Sequence, residues 1–375
     1  MEPRIRQLLE ARQSVWLDDL SRDLLTTGGL ERLIHAGIRG VTSNPTILGR
    51  AIAHESDYDD AVAWLRDEYP EPEALFWALA VRDVQDAMDL FRPLYDASGG
   101  TDGFVSIEVA PALAHDGPRT IAMVRELWKR VDRPNAMIKI PATAEGISAI
   151  EQCTAEGINI NVTLVFSVKM YEAAALAYVR GLERRLGAGD PIERMASANS
   201  LFLSRIDTAV DSVLDRKIAD DQRLGHLRGK TATAIAKISY DKYCEIFENS
   251  RFRAMAEHGR NAQRPLWAST GTKDVTYSDL KYVEPLVAAN TINTMPQETL
   301  YAFLDHGCVR GDAILEGLDD AYATLRALEE CGIDLERMLS DLQREGLRKF
   351  CTSFDELLVA IDQKLKDMAG PGALK

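Results

Sequence analysis

What this chain of 375 residues lacks removes several classes of protein. Its five cysteines (Cys153, Cys244, Cys308, Cys331 and Cys351) are odd in number, far apart, and form no C-x-x-C pair. That argues against a disulfide framework or a zinc ribbon and for reduced thiols in a cytoplasmic protein. The six histidines (His35, His54, His115, His226, His258 and His306) never stand at a ligand spacing such as H-x-x-x-H, so no metal is expected. No uncharged apolar run reaches the roughly 18 residues of a membrane-spanning helix. The opening residues, Met1 to Gln7, lack the apolar core of a signal peptide, which again points to the cytoplasm. Basic residues are in deficit: Lys and Arg total 44 against 58 Asp and Glu, a net charge of −14. A partner made of nucleic acid or anionic membrane is therefore not expected. A phosphorylated substrate stays open, because a few local donors suffice to hold one phosphate.

What is present is ordinary globular composition, 46% hydrophobic and 27% charged. Short apolar runs alternate with longer amphipathic stretches. The runs are Ser14–Leu20, Gly40–Ile47, Phe104–Val109, Ala136–Ala142, Ile160–Phe166, Ala198–Ile206, Arg264–Thr270 and Thr291–Pro296. Helical patterns fill the gaps, as in Thr120–Val131 and Val168–Leu186. Strand–helix alternation implies a parallel α/β architecture. Eight runs suit a closed (β/α)8 TIM barrel better than a doubly wound sheet, and such a barrel needs about 250 residues. The reading is one barrel domain over 1–375, with helical insertions near 51–98 and 207–262 and a C-terminal helical extension over 312–367 packed outside the barrel. The second insertion reads as polar, its basic residues (Arg216, Lys217, Arg223, Arg228, Lys230, Lys237) forming a solvated face. The tail, Ala369 to Lys375, reads as frayed.

Strand parity locates the chemistry, because successive side chains face opposite ways and one set in a barrel faces the interior. In Met137–Pro141, Ile138 and Ile140 share the helix-facing side, so Lys139 points inward. A buried lysine charge is costly, and a desolvated amine gives up its proton more readily and becomes a nucleophile. The bland alternative is an edge-strand lysine that reaches solvent. In Val15–Asp18, Asp18 takes the face opposite Val15 and Leu17; the tandem Asp19 falls on the other side. Glu108 faces inward with Ser106, and Asn161 with Thr163, while Val162 and Leu164 face out. Asn44 lies near the end of its strand, before a proline. Each polar residue alone could be a cap or a satisfied core group. Together they suggest one cluster at the C-terminal ends of the strands, where barrel active sites lie. A lysine nucleophile, two carboxylates, a hydroxyl and amides suit aldol chemistry through an imine, with no cofactor and no metal.

At these residues the chain resembles the transaldolases, particularly the longer bacterial members. The resemblance is carried by SVWLDDLSRDLL (Ser14–Leu25), GVTSNPTIL (Gly40–Leu48), the stretch Met137–Ser167, SANSLFLSRIDTAVD (Ser197–Asp211) and PLWASTGTKD (Pro265–Asp274). It implies that Lys139 forms a Schiff base and Asp18 acts as general acid and base. Glu108 and Thr163 would handle the catalytic water, and Asn44 and Asn161 would bind substrate. Ser200, Arg205 and Ser269 fall where the family places phosphate contacts. Ser200 and Arg205 are five residues apart and cannot share a face of one regular strand, so Arg205 is expected at the following turn or helix start. The shorter transaldolases carry an arginine shortly after the seventh-strand serine; here the cation is Lys273 at a changed spacing, a point charge in place of a bidentate fork.

The implied reaction moves a dihydroxyacetone unit from sedoheptulose 7-phosphate to glyceraldehyde 3-phosphate, giving erythrose 4-phosphate and fructose 6-phosphate, in the non-oxidative pentose phosphate pathway. The implied partners are sugar phosphates, and a monomer and a homodimer are both compatible. The alternatives are another class I aldolase or a fructose 6-phosphate aldolase that releases the three-carbon ketone, a hydratase or dehydratase using a barrel lysine, and a non-catalytic sugar-phosphate-binding barrel.

Overall fold

A computed structural model describes residues 1–54, 56–259 and 261–369. The strands are β1 (Gln13–Leu17), β2 (Gly40–Thr42), β3 (Phe104–Glu108), β4 (Ala136–Pro141), β5 (Ile160–Val165), β6 (Ser197–Phe202), β7 (Gln263–Ala268) and β8 (Thr291–Met295). They form a closed parallel barrel in sequence order, and β1 closes on β8 with Gln13 opposite Thr291 and Leu17 opposite Met295. The eight apolar runs of the sequence are these eight strands. Every residue of β4, β5 and β6 is buried, because helices cover the outer face and side chains fill the interior.

Each strand passes to its helix through a capping residue. The Thr143 hydroxyl accepts from Gly146 N (3.0 Å), opening the helix Ala144–Ala155; Ser167 does the same for Val168–Gly187 through Met170 N (3.1 Å). Asn44 Oδ1 accepts from Ile47 N (2.9 Å) at the start of Pro45–His54. These contacts satisfy donors that every helix N-terminus leaves open. They also fix where each strand stops, which places the strand-end side chains.

The first insertion holds the helices Asp59–Leu65 and Pro72–Ala97. Asp83 accepts from Tyr58 Oη (2.5 Å) and pairs with Arg22, tying this segment to the chain after β1. The second insertion departs from its polar reading. Its helix Thr231–Phe247 buries Ile235, Tyr240, Tyr243 and Phe247 and belongs to the core. Arg223 and Arg228 pair with Asp221 (2.8 Å), Asp215 (2.8 Å) and Asp274 (2.7 Å), whereas Lys237 donates to the carbonyl of Ala313 (3.2 Å).

The C-terminal extension also needs correction. Its helix Leu335–Ala369 lies across the C-terminal mouth of the barrel, not outside it. Gln343 Nε2 donates to the carbonyls of Ala142 (2.9 Å) and Leu164 (3.0 Å), just beyond β4 and within β5. Leu347, Phe350, Phe354, Leu357 and Ile361 are buried at alternating spacings of three and four, the stripe of an amphipathic helix. Periodicity shows that such a helix buries one face, but not against what. The tail beyond Ala369 lies outside the described residues.

Below the mouth, the interior is closed by Trp16. Its indole lies against Gly40, where an added Cβ would sit 2.6 Å from the ring and 2.7 Å from the Phe104 carbonyl. Only glycine fits, because neither a packed indole nor a strand carbonyl can withdraw. Gly40→Ala is therefore expected to destabilise the protein by about 1–3 kcal/mol. Chemical denaturation measures this, and an unchanged midpoint and slope would show that the interior layer is looser than described.

Candidate active site

All eight strands and two helices contribute side chains at the mouth. Asp18 follows β1 directly, and its backbone N–H donates to the Met295 carbonyl of β8 (2.9 Å). Its carboxylate accepts from Thr42 Oγ1 (2.7 Å), which in turn shares a hydrogen bond with Thr294 Oγ1 (2.7 Å). Asp19 points elsewhere and accepts from Gln297 (2.6 Å), as strand parity requires. On β4, Lys139 Nζ lies 3.0 Å from Glu108 Oε2 of β3 and donates to the Ser43 carbonyl (3.1 Å). Lys139 is 5% exposed and Glu108 2%, so the ion pair is cut off from bulk water. Asn161 of β5 donates to Ser106 Oγ (3.0 Å) and accepts from Ser200 Oγ of β6 (2.7 Å).

Arg205 is the second residue of the helix Ser204–Asp220, as its offset from Ser200 demands. Its guanidinium stands 5.4 Å from the centre of the Phe202 ring and 5.9 Å from that of Phe350. The flanking rings stack on a planar cation and leave its edge free for an anion. Ser269, just after β7, adopts φ +54° and shares a hydrogen bond with Ser204 Oγ (2.9 Å).

A cavity of about 90 Å³ opens among Asp18, Asn44, Lys139, Ser200, Arg205 and Ser269. Glu108, Asn161 and Thr163 stand behind this wall. Glu108 Oε1 and Thr163 Oγ1 are sealed from solvent and have no hydrogen-bond partner among the described residues. Buried polar atoms of that kind call for a water or a substrate group. Lys273 is not brought into this cavity. It lines a neighbouring one, of about 580 Å³, between Arg205 and the C-terminal helix.

Burial dominates the electrostatics. It pushes the Asp18 carboxyl above its ordinary range, while Lys139, the Thr42 hydroxyl and Arg205 pull the other way. Glu108 is likewise raised by burial, against the opposing pull of Lys139. Arg205 is drawn below its usual value by burial, opposed by Glu345, Asp18 and Glu108. Two carboxyls with upward-shifted values beside an amine hold protons more readily than exposed carboxyls do and can exchange them with a bound substrate.

The transaldolase/fructose-6-phosphate aldolase family model matches residues 15–361. The chain belongs to that family. Among its relatives, a transaldolase of Acidothermus cellulolyticus is 47% identical over 98% of both chains. One of Saccharopolyspora erythraea is 45% identical over 96% of this chain and 97% of that protein. One of Thiobacillus denitrificans is 46% identical over 93% of this chain and 97% of its own.

Within this transaldolase-family barrel, several contributors escaped the sequence reading. Thr42 and Thr294 carry the hydrogen-bond chain to Asp18, and inward parity on β2 and β8 could have flagged both. Phe202 follows Ser200 by two and shares its face. Phe350 had no local signal, since nothing in its own helix says that it reaches the barrel. Parity also fails at one point. Leu164 takes φ +55°, and the β5–β6 register slips between Val162 and Val165. Leu164 therefore does not join Val162 on the outer face: an added Cβ on Gly346, in the C-terminal helix, would lie 3.2 Å from it.

The raised Asp18 value has a consequence for stability. Below the ordinary carboxylate value both folded and unfolded states are protonated, and the group contributes nothing. As pH rises, the unfolded state ionises first, so stability falls until the folded group's own higher value is passed. Asp18→Asn is thus expected to be at least as stable as the parent at pH 7, with its advantage growing from acid to neutral pH. Denaturation midpoints across that range test this; a variant that loses ground as pH rises would mean that ionised Asp18 stabilises the fold.

Proposed function

We propose that this protein is a transaldolase, transferring a dihydroxyacetone unit between ketose and aldose phosphates through a Schiff base on Lys139. The observation that carries the reading is a buried amine, 3.0 Å from Glu108, beside Asp18 in one cavity. It is strengthened by 45% and 47% identity, over nearly the whole of both chains, with proteins named transaldolase. The family's description also covers fructose-6-phosphate aldolase, while these relatives carry the transferase name.

In the proposed reaction the Lys139 amine adds to the C2 ketone of sedoheptulose 7-phosphate. Proton transfers expel the C2 oxygen as water and leave a protonated imine. Asp18 then takes the C4 hydroxyl proton as the C3–C4 bond breaks; the imine accepts the electron pair, and erythrose 4-phosphate leaves. The three-carbon enamine stays on the enzyme and attacks the aldehyde of glyceraldehyde 3-phosphate. Asp18 returns its proton to the new hydroxyl, and water hydrolyses the imine to release fructose 6-phosphate. Glu108 and Thr163, with their unpartnered oxygens, suit the handling of that water. Asn44 and Asn161 are the amides that would hold hydroxyls of the three-carbon unit, and Asn44 does so from a helix cap that fixes its backbone.

Arg205, Ser200 and Ser269 are the phosphate contacts of this reading. Lys273 would act from the adjoining cavity as a second, more distant cation. The partners are sugar phosphates, and neither nucleic acid nor membrane belongs to this function. Among the described residues no helix is long and apolar enough to cross a membrane. Five free cysteines suit a reducing, cytoplasmic setting and the non-oxidative pentose phosphate pathway.

Incubation with fructose 6-phosphate followed by borohydride should leave a three-carbon adduct on Lys139, mapped by peptide mass spectrometry. Erythrose 4-phosphate added before the reductant should discharge it. Folded protein with no adduct on any lysine would overturn the mechanism, and an adduct that erythrose 4-phosphate cannot discharge would favour the aldolase. Asp18→Asn should reduce kcat by about 100- to 10,000-fold, the usual worth of a positioned acid–base group. An unchanged kcat would remove Asp18 from that role.

A further inference from the structure

The opposite end of the barrel holds another cavity, of about 560 Å³. It lies at the N-terminal ends of the strands, where Gln13 and Ser14 open β1, Phe104 opens β3 and Ser197 opens β6. That size accommodates a small organic ligand. Its charged lining is Arg12, Arg39 and Arg264 against Asp102 alone, three cations to one anion in a chain whose net charge is −14.

Arg264 is committed to the protein. Its Nη2 donates to Ser14 Oγ (2.7 Å) and the Thr291 carbonyl (2.7 Å), its Nη1 donates to the Thr101 carbonyl (3.3 Å), and it pairs with Asp102 at 3.7 Å. Asp102 is further occupied by Ser14 Oγ (2.5 Å) and Trp16 Nε1 (3.2 Å). The one carboxylate is thus spent on Arg264 and the barrel plug. Arg12 and Arg39 make no side-chain hydrogen bond or ion pair among the described residues, and the Nε of Arg39 is buried without a partner. Many other arginines find carboxylates: Arg125 with Glu156, Arg133 with Asp89, Arg251 with Glu183. Exposed arginines such as Arg119 and Arg216 also stand without a side-chain partner among the described residues, but Arg12 and Arg39 line one cavity, and Arg39 carries a buried, unpaired Nε on its wall.

We propose that this cavity is a second, non-catalytic site for a compact phosphorylated metabolite, with Arg12 and Arg39 as its phosphate contacts. Guanidinium forks match phosphate oxygens bidentately. Arg264 adds fixed positive potential without moving. Asn290 and Tyr243 line it with polar groups, the Asn261 amide is committed to the carbonyls of Glu193 (3.2 Å) and Met195 (3.0 Å), and Phe104 and Ile292 give an apolar wall. Arg12 and Asn290 both hold left-handed backbones, φ +59° and +60°, joined by Asn290 N to the Arg12 carbonyl (2.9 Å). Such conformations are costly and tend to be kept where geometry matters.

The test is calorimetric titration of the full-length protein with inorganic pyrophosphate. Arg205→Ala serves as the background that removes the phosphate contact at the catalytic end. Binding should persist in Arg205→Ala, weaken as salt is raised, and fall about tenfold or more when Arg12→Gln and Arg39→Gln are added. Loss of binding in Arg205→Ala alone, or equal affinity with and without the two glutamines, would overturn the proposal. A second readout needs no variant. Phenylglyoxal modification of Arg12 and Arg39, mapped by mass spectrometry, should slow in the presence of pyrophosphate, and equal rates would overturn it as well.

Discussion

The mouth of the barrel depends on a pair of opposite charges that water does not reach. Taking an ammonium or a carboxylate out of water costs several kcal/mol per ion even after relaxation. Lys139 and Glu108 tolerate this because β3 and β4 set them directly opposite one another. The offset is incomplete, since Glu108 still sits above its ordinary range. Removing either partner would strand the other. The strand register that pairs them is therefore fixed by electrostatics as well as by the apolar outer face. Asp18 adds a second carboxylate and Arg205 a second cation, so the interior carries two of each sign. A closed barrel is the scaffold that can hold this set, because its inner faces converge and its edges are all paired.

Two devices keep that cluster dry. Trp16 closes the interior from below, packed against a glycine that leaves it room. The helix Leu335–Ala369 closes it from above, anchored by Gln343 to the carbonyl of Ala142, just beyond the strand that carries Lys139, and to that of Leu164, within the strand that carries Thr163. Low local polarity strengthens every charge interaction between these two covers. The same helix supplies Phe350, so the residue that completes the stacking around Arg205 comes from the far end of the chain. The stacking around Arg205 and closure of the mouth thus share one structural element.

The strands were readable because burial on both faces leaves a continuous apolar run, and all eight runs became strands. Parity placed Lys139, Glu108 and Asp18 inward, and it separated Asp18 from its neighbour Asp19. These are local properties of the chain. Parity failed at Leu164, where a left-handed residue breaks the alternation that the argument assumes. The second insertion misled because a helix with lysines on one face can bury tyrosines and isoleucines on the other, as Thr231–Phe247 does. Lys273 could be placed after β7 but not assigned to a cavity. The apolar stripe of the C-terminal helix was visible, while its target was not. What escaped is long-range: which distant surface an amphipathic helix covers cannot be read from the helix itself.

The two ends of the barrel use arginine in different ways. At the mouth Arg205 is flanked by aromatic rings and faces acids in its own cavity, so its charge is partly balanced before any ligand arrives. At the other end Arg264 spends its donors on strand ends and on Asp102, and so holds the lower rim together. Arg12 and Arg39 beside it do no such structural work. A guanidinium that stabilises a fold is recognised by its protein partners; one that waits for a ligand lacks them and also lines a cavity. That contrast, between neighbouring residues in one cavity, separates a plug in the barrel floor from a site built on top of it.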